Sequence, residues 1–331
     1  MFNKENMLIK FKNKSSDKFG VNPMERSFEE LLDKGFIVVD KDSGPTSHQT
    51  TDYLKKILKI DKAGHSGTLD PKVTGVLVCG LGRATRLMEY MLKSNKEYIL
   101  LAYFHKPVSD EQLNSAIKKF TGTFMQTPPI VSAVKRQPRE RTIYELELLD
   151  VSENRQDVLM RVRCQHGTYM RKLATDMGDF IGINCHMKEL RRTKAGAFTE
   201  WDNSIGLDKL RNLMELYEED KSYESEVRKY IQPMEGLLRD FKKVIVRDSA
   251  VDYICHGSDL AVPGVLMLDD NIELGEEVAL LTGRGELIGM GMAFMKSKDV
   301  IKRRKGAFVK VNKTFLEPDT YPKEWRFGEE E

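Results

Sequence analysis

The chain has 331 residues, 40% of them hydrophobic and 31% charged, and a formal net charge of +2. That is enough chain for two domains with cores of their own, and the near-neutral balance does not by itself announce a nucleic-acid partner. No apolar run approaches the roughly 20 residues needed to span a bilayer, and the opening MFNKENMLIKFKNK lacks the apolar stretch of a secretory signal. A cytoplasmic protein without membrane contact is therefore expected.

Residues 1–29 are polar, weakly periodic, and read as an extension. FEELLDKG predicts a short helix and FIVVDK a strand. TSHQTTDYLKKILKI predicts a helix capped by Thr46 or Ser47, with Tyr53, Leu54, Ile57 and Leu58 as its apolar stripe. A Gly-rich turn, KAGHSGTLDP, leads into the β-branched run VTGVLVCGL. RATRLMEYMLK predicts a helix with Leu87, Met88, Met91 and Leu92 inward. EYILLAYF is a strand, and SDEQLNSAIKKFTG a helix capped by Ser109. TIYELELLDV and DVLMRVRCQ are strands, and GTYMRKLATDMGDFIG enters a helix that Gly182 ends. This mixture predicts an α+β domain around a mixed, mainly antiparallel sheet.

The acidic stretch near 207–230 marks a boundary. Beyond it, 242–317 is a series of short strands punctuated by Gly and Pro, which predicts a small β-barrel of about 75 residues. The expected organisation is an extension over 1–29 packed on the barrel, a catalytic domain over 30–240, the barrel over 241–322, and a tail over 323–331.

Cys79, Cys164, Cys185 and Cys255 show no CxxC pair and no metal-like spacing to a histidine. Reduced, buried thiols are expected, not structural zinc. The positive charge is clustered. Segment 296–313 carries eight Lys/Arg against one Asp, and KRQPRER at 135–141 and RRTK at 191–194 add further clusters. Such clusters on a nearly neutral chain suit localised phosphate contacts.

The most informative string is His65-Ser66-Gly67-Thr68-Leu69-Asp70-Pro71, followed by Lys72-Val73-Thr74-Gly75-Val76-Leu77. Pro71 biases Asp70 towards an extended backbone, and Gly67 permits a tight approach before it. A loop of this kind, opening onto a buried strand, presents one carboxylate at the rim of a sheet. Four other stretches accompany it: Val39-Asp40-Lys41-Asp42-Ser43-Gly44-Pro45-Thr46-Ser47-His48, Lys96-Glu97-Tyr98, Gly167-Thr168-Tyr169-Met170-Arg171-Lys172-Leu173, and Leu190-Arg191-Arg192-Thr193.

In this order, these five stretches resemble the motifs of the pseudouridine synthase superfamily that includes the bacterial tRNA enzymes and dyskerin. The resemblance implies that Asp70 is the catalytic carboxylate in an isomerisation of uridine that breaks N1–C1′ and joins C5 to C1′. No metal or cofactor is implied. Arg171 would pair with Asp70, because a nearby guanidinium favours a charged carboxylate. Tyr98 would stack on the uracil and receive the C5 proton, and Leu190 would form the other wall of the base pocket. His65, Tyr169 and Lys41 are softer assignments around the substrate, with Lys41 also suited to loop support. A target base must leave its stack to enter such a pocket, at about a few kcal/mol. Arg191 and Arg192, with Arg136, Arg139 and Arg141 of the 135–141 loop, are expected to offset this through phosphate contacts.

The barrel resembles a PUA RNA-binding domain through His256-Gly257-Ser258-Asp259-Leu260, Val262-Pro263-Gly264-Val265, Gly289-Met290-Gly291-Met292-Ala293 and Gly306. Its place after the catalytic motifs, and the thumb-like Ala133-Val134-Lys135-Arg136 ahead of Arg141-Thr142-Ile143-Tyr144, resemble the archaeal dyskerin arrangement. That resemblance implies a box H/ACA guide RNA, small partner proteins of the particle, and rRNA or tRNA as substrate, with Lys302, Arg303 and Arg304 as RNA contacts. A stand-alone enzyme acting at tRNA position 55 and a catalytically idle RNA scaffold are the alternatives. Pro138, Glu140, Asn95 and Met170 depart from the family pattern, and the first two fall in the loop whose RNA contacts they put in question.

Overall fold

The computed structural model describes residues 6–11, 15–128 and 137–322. Its contacts divide the chain into two compact units, Leu31–Gln232 and a second formed by Met1–Glu30 with Pro233–Glu331.

The first unit is built on one large sheet. Its strands lie in the order Ile231–Pro233, Gly35–Lys41, Thr74–Leu81, Cys185–Ala195, Lys96–Phe104, Asp157–Cys164, Arg139–Val151 and Gly122–Gln126. Thr74–Leu81 runs parallel to Cys185–Ala195, whereas the central pairings around Lys96–Phe104 are antiparallel. Helices Asp110–Phe120 and Met170–Ile181 cover the core made by Leu100, Phe104, Val158, Met160, Leu173 and Met177. Helix Ser47–Leu58 starts at a capping box. The Gln49 N–H donates to Thr46 Oγ1 (3.1 Å), and the Thr46 N–H donates to Gln49 Oε1 (2.8 Å).

Two sequence expectations change here. RATRLMEYMLK is not one helix: Gly82–Leu87 is a 3₁₀ turn and only Met88–Leu92 is α-helical. The tighter turn alters the phase of the following residues, so Tyr90 is buried and Leu92 exposed. On Ser47–Leu58 the buried face is Thr50, Thr51, Leu54 and Leu58, leaving Tyr53 exposed.

The second unit is a seven-stranded sheet in the order Met7–Ile9, Val265–Asp269, Lys242–Val246, Glu277–Leu281, Leu287–Ala293, Ala307–Thr314 and Leu260–Ala261. The N-terminal strand Met7–Ile9 pairs antiparallel with Val265–Asp269. Val244, Val246, Val265, Leu280, Ile288 and Phe308 form its core. All four cysteines of the protein are free and buried. Among the described residues no helix is long and apolar enough to cross a membrane.

Candidate active site

The Asp70 loop leaves the strand Ala63–His65 and re-enters the sheet at Thr74–Leu81. Leu69 is buried, and the Ser47 hydroxyl fixes it from both sides. The hydroxyl accepts from the Leu69 N–H (2.8 Å) and donates to the Leu69 carbonyl (3.1 Å). The Val73 N–H donates to the Asp70 carbonyl (2.9 Å), closing a turn around Pro71. Lys41 lies under this turn, only 1% exposed, with its ammonium donating to the carbonyls of Asp42 (2.9 Å), Pro71 (3.1 Å) and Val73 (2.9 Å). Burial lowers its pKa from the ordinary value. The expectation that Lys41 binds substrate is therefore corrected. Its head is spent on loop carbonyls, which leaves it as loop support.

These anchors leave the Asp70 carboxylate half-exposed, in contact with the Arg171 guanidinium. Arg171 stands in the first turn of Met170–Ile181, a helix that begins after Gly167 in the left-handed region (φ +74°). Gln126, 2% exposed at the end of its strand, clamps the residue before that helix. Its Oε1 accepts from the Tyr169 N–H (2.8 Å), and its Nε2 donates to the Tyr169 carbonyl (3.1 Å). Sequence reasoning missed Gln126. A single glutamine more than forty residues before its partner carries no local signal.

Tyr98 and Leu190, each 9% exposed, sit on neighbouring strands whose register pairs Tyr98 with Arg192 and Leu100 with Leu190. Burial pushes the Tyr98 phenol up, and the Arg192 guanidinium opposes that rise. His65 is held neutral, its pKa pushed down to about 4, first by burial and then by His48 and Arg192. Its ring meets His48 edge-on at 5.1 Å, and its Nε2 makes no hydrogen bond among the described residues. Lys96 is buried beside Ser94, whose carbonyl and hydroxyl each accept from it at 2.7 Å, and burial brings its pKa to about 7. Tyr169 is half-buried, with its backbone in the Gln126 clamp.

The basic residues divide sharply. Arg192 is 1% exposed, so its expected role as a phosphate contact is corrected. Strand alternation turns it to the same face as Leu190, into the protein. Arg191, on the other face, spends its fork on Asp40 (3.0 and 3.1 Å) and Glu200 (2.9 Å), which leaves little of it for phosphate. Arg141 donates to the Gly167 carbonyl (2.9 Å), and Arg139 is exposed. Arg136 and the rest of 133–136 lie outside the described residues. Lys302, Arg303 and Arg304 are exposed on the second unit. The group of His and Asp side chains found close enough to share a metal ion among the described residues, Asp252, His256 and Asp319, also belongs to that second unit and not to this site.

A carboxylate, a guanidinium against it, a buried tyrosine and a leucine wall, on one loop and three adjoining elements, suit chemistry at a sugar carbon beside a planar base. Family models match most of the chain. Residues 55–108 and 103–170 match the TruB family pseudouridylate synthase N-terminal domain, and 171–239 the tRNA pseudouridylate synthase B C-terminal domain. Residues 1–51 match the DKCLD (NUC011) domain and 242–315 the PUA domain. A probable tRNA pseudouridine synthase B of Methanocaldococcus jannaschii is 46% identical over 323 residues, covering 98% of this chain and 95% of its own length.

The chain belongs to the TruB family of pseudouridine synthases. Solved structures agree with this TruB-family assignment over nearly the whole length. An H/ACA RNP bound to a substrate RNA containing 2′-deoxyuridine is similar at a TM-score of 0.88 and 39% identity, over 96% of this chain and 97% of that one. The archaeal box H/ACA sRNP Nop10-Cbf5 complex is similar at a TM-score of 0.87 and 38% identity, over 96% and 98%. The fold is thus a TruB-family α+β catalytic domain with a C-terminal PUA domain.

Proposed function

We propose that this pseudouridine synthase is the catalytic subunit of a box H/ACA ribonucleoprotein, resident in the cytoplasm and directed to uridines of rRNA by a guide RNA. The observation that carries the chemical half is the contact between Arg171 and the Asp70 carboxylate on a loop anchored by Ser47 and Lys41. In this reading Asp70 acts at the ribose, adding to C1′ or removing a C2′ proton. Tyr98 and Leu190 enclose the uracil while it turns, and Tyr98 receives the C5 proton. His65 and Tyr169 border the flipped nucleotide. Residues 30–240 carry the reaction and 241–322 hold RNA, with Lys302, Arg303, Arg304, Arg136, Arg139 and Arg141 as phosphate contacts.

The similarity to H/ACA particles over nearly the full length, PUA domain included, supports guide dependence. The relatives' names, probable tRNA pseudouridine synthase B, keep tRNA as a second substrate class. The test measures pseudouridine formation by the purified protein on bare tRNA, then on a guided rRNA fragment with H/ACA guide RNA and small partner proteins. Guide dependence predicts that the second reaction needs both additions. Efficient turnover of the rRNA fragment without a guide would refute it.

A further inference from the structure

We propose that Arg192 is the positioning residue of this active site, bracing both ends of the Asp70 loop from beneath and facing the Tyr98 hydroxyl as its charged neighbour. The inference rests on the roles of Asp70 and Tyr98 given above. Arg192 Nε donates to the Val76 carbonyl (2.7 Å) and Nη2 to the Gly67 carbonyl (3.2 Å). Gly67 precedes Asp70 and Val76 follows it, so one planar group ties the entry of the loop to its exit. The backbone reinforces the tie. Gly75 pairs with Arg192 in the parallel register, so closely that a Cβ on Gly75 would lie 2.2 Å from the Arg192 carbonyl oxygen.

A guanidinium this deep is costly unless its donors are satisfied. Here two of its donors go to backbone carbonyls, the Tyr98 hydroxyl lies within its reach, and among the described residues no carboxylate pairs with it. With no carboxylate against it among the described residues, its charge acts on the groups around the pocket. It helps to hold His65, Lys96 and Lys41 towards their neutral forms. It acts on Tyr98 in the opposite sense, easing loss of the phenolic proton against burial and against the neighbouring Cys164 and Asp70. Only as phenolate can the phenol oxygen take the C5 proton, so its own proton passes first to solvent water. Arg171 and Arg192 thus divide the work: the first touches the carboxylate from the open side, and the second holds the backbone that presents it.

The test uses full-length Arg192→Met and Arg192→Lys with three readouts: single-turnover rate, RNA affinity across a salt series, and the Tyr98 titration. Fluorine NMR of fluorotyrosine-labelled protein gives the titration, with Tyr98→Phe assigning the resonance. Arg192→Met should lose about 100-fold in rate, the scale of a misplaced catalytic group, while RNA affinity and salt slope stay at wild-type values and the Tyr98 midpoint rises. Arg192→Lys should keep the midpoint, because the charge remains, but lose rate, because one ammonium cannot reach both carbonyls. Weakened RNA binding with a flatter salt slope would make Arg192 a phosphate contact and overturn the proposal. So would a wild-type rate in either variant or an unmoved midpoint in Arg192→Met. If Arg192→Met does not fold, Arg192→Lys decides alone on rate and midpoint. Asp70→Asn is run alongside: retained activity there would sink the active-site reading itself, while the Tyr98 midpoint still judges Arg192.

Discussion

Gly75 and Gly44 offer a matched pair for measuring how tightly the Asp70 loop is held. Both have a backbone in the region that favours glycine, with φ of +102° and +119°. A Cβ on Gly44 would meet nothing within 4 Å, whereas one on Gly75 would lie 2.2 Å from the Arg192 carbonyl oxygen and 2.9 Å from its carbonyl carbon and amide nitrogen. Gly44→Ala should therefore carry only the backbone strain, about 1–3 kcal/mol. Gly75→Ala carries the same strain plus overpacking against main chain that cannot rotate away, about a further 1–3 kcal/mol. The extra displacement falls between Arg192 and the loop it braces, so the Asp70 carboxylate should move away from Arg171. Urea unfolding of the two variants, followed with single-turnover assays on the same preparations, measures both effects. Gly75→Ala should be the less stable protein and should lose most of its rate, while Gly44→Ala should retain the larger share. Equal losses of stability, or a Gly75→Ala enzyme with wild-type rate, would refute the close-approach argument.

Gln126→Ala should leave the Tyr169 N–H and carbonyl without their partner, at about 1–3 kcal/mol in a site that water partly reaches. Its single-turnover rate should fall as Arg171 loses its fixed helix start, and a rate equal to wild type would show that the clamp does not position Arg171. His65 adds a pH effect. Its native pKa of about 4 lies below the ordinary 6.5, so the unfolded chain binds the extra proton between those values and stability falls as pH drops through that window. His65→Gln should flatten that part of the urea stability profile, and an unchanged profile would contradict the buried neutral imidazole.

The fold class and the family were legible because glycines, prolines and the Asp70 loop stand at fixed spacings that side-chain chemistry alone does not produce. Asp70 and Arg171 were legible as a pair on the same grounds, and the structure brings them into contact. The strand Cys185–Ala195 was not seen, since CHMKELRRTKA is too charged to read as a buried central strand. Its arginines have partners that the local pattern does not announce: Arg191 pairs with Asp40 and Glu200, and Arg192 donates to the Val76 and Gly67 carbonyls. Residue type placed Arg192 and Lys41 on the solvent or substrate side. Both are buried with their donors on loop carbonyls, and no local pattern reveals that.

Under the proposed function the Asp70 carboxylate carries uridine isomerisation in this chain. Joining C5 to C1′ releases the C5 proton, so tritium release from RNA labelled at uridine C5 reports the reaction directly. Wild-type and Asp70→Asn proteins should bind guide and substrate RNA with the same affinity and salt slope, since the amide keeps the shape of the loop. Wild-type protein in the assembled particle should release tritium in step with pseudouridine formed, and Asp70→Asn should release none above background in a single turnover. Tritium release by Asp70→Asn at a rate close to wild type would contradict the account.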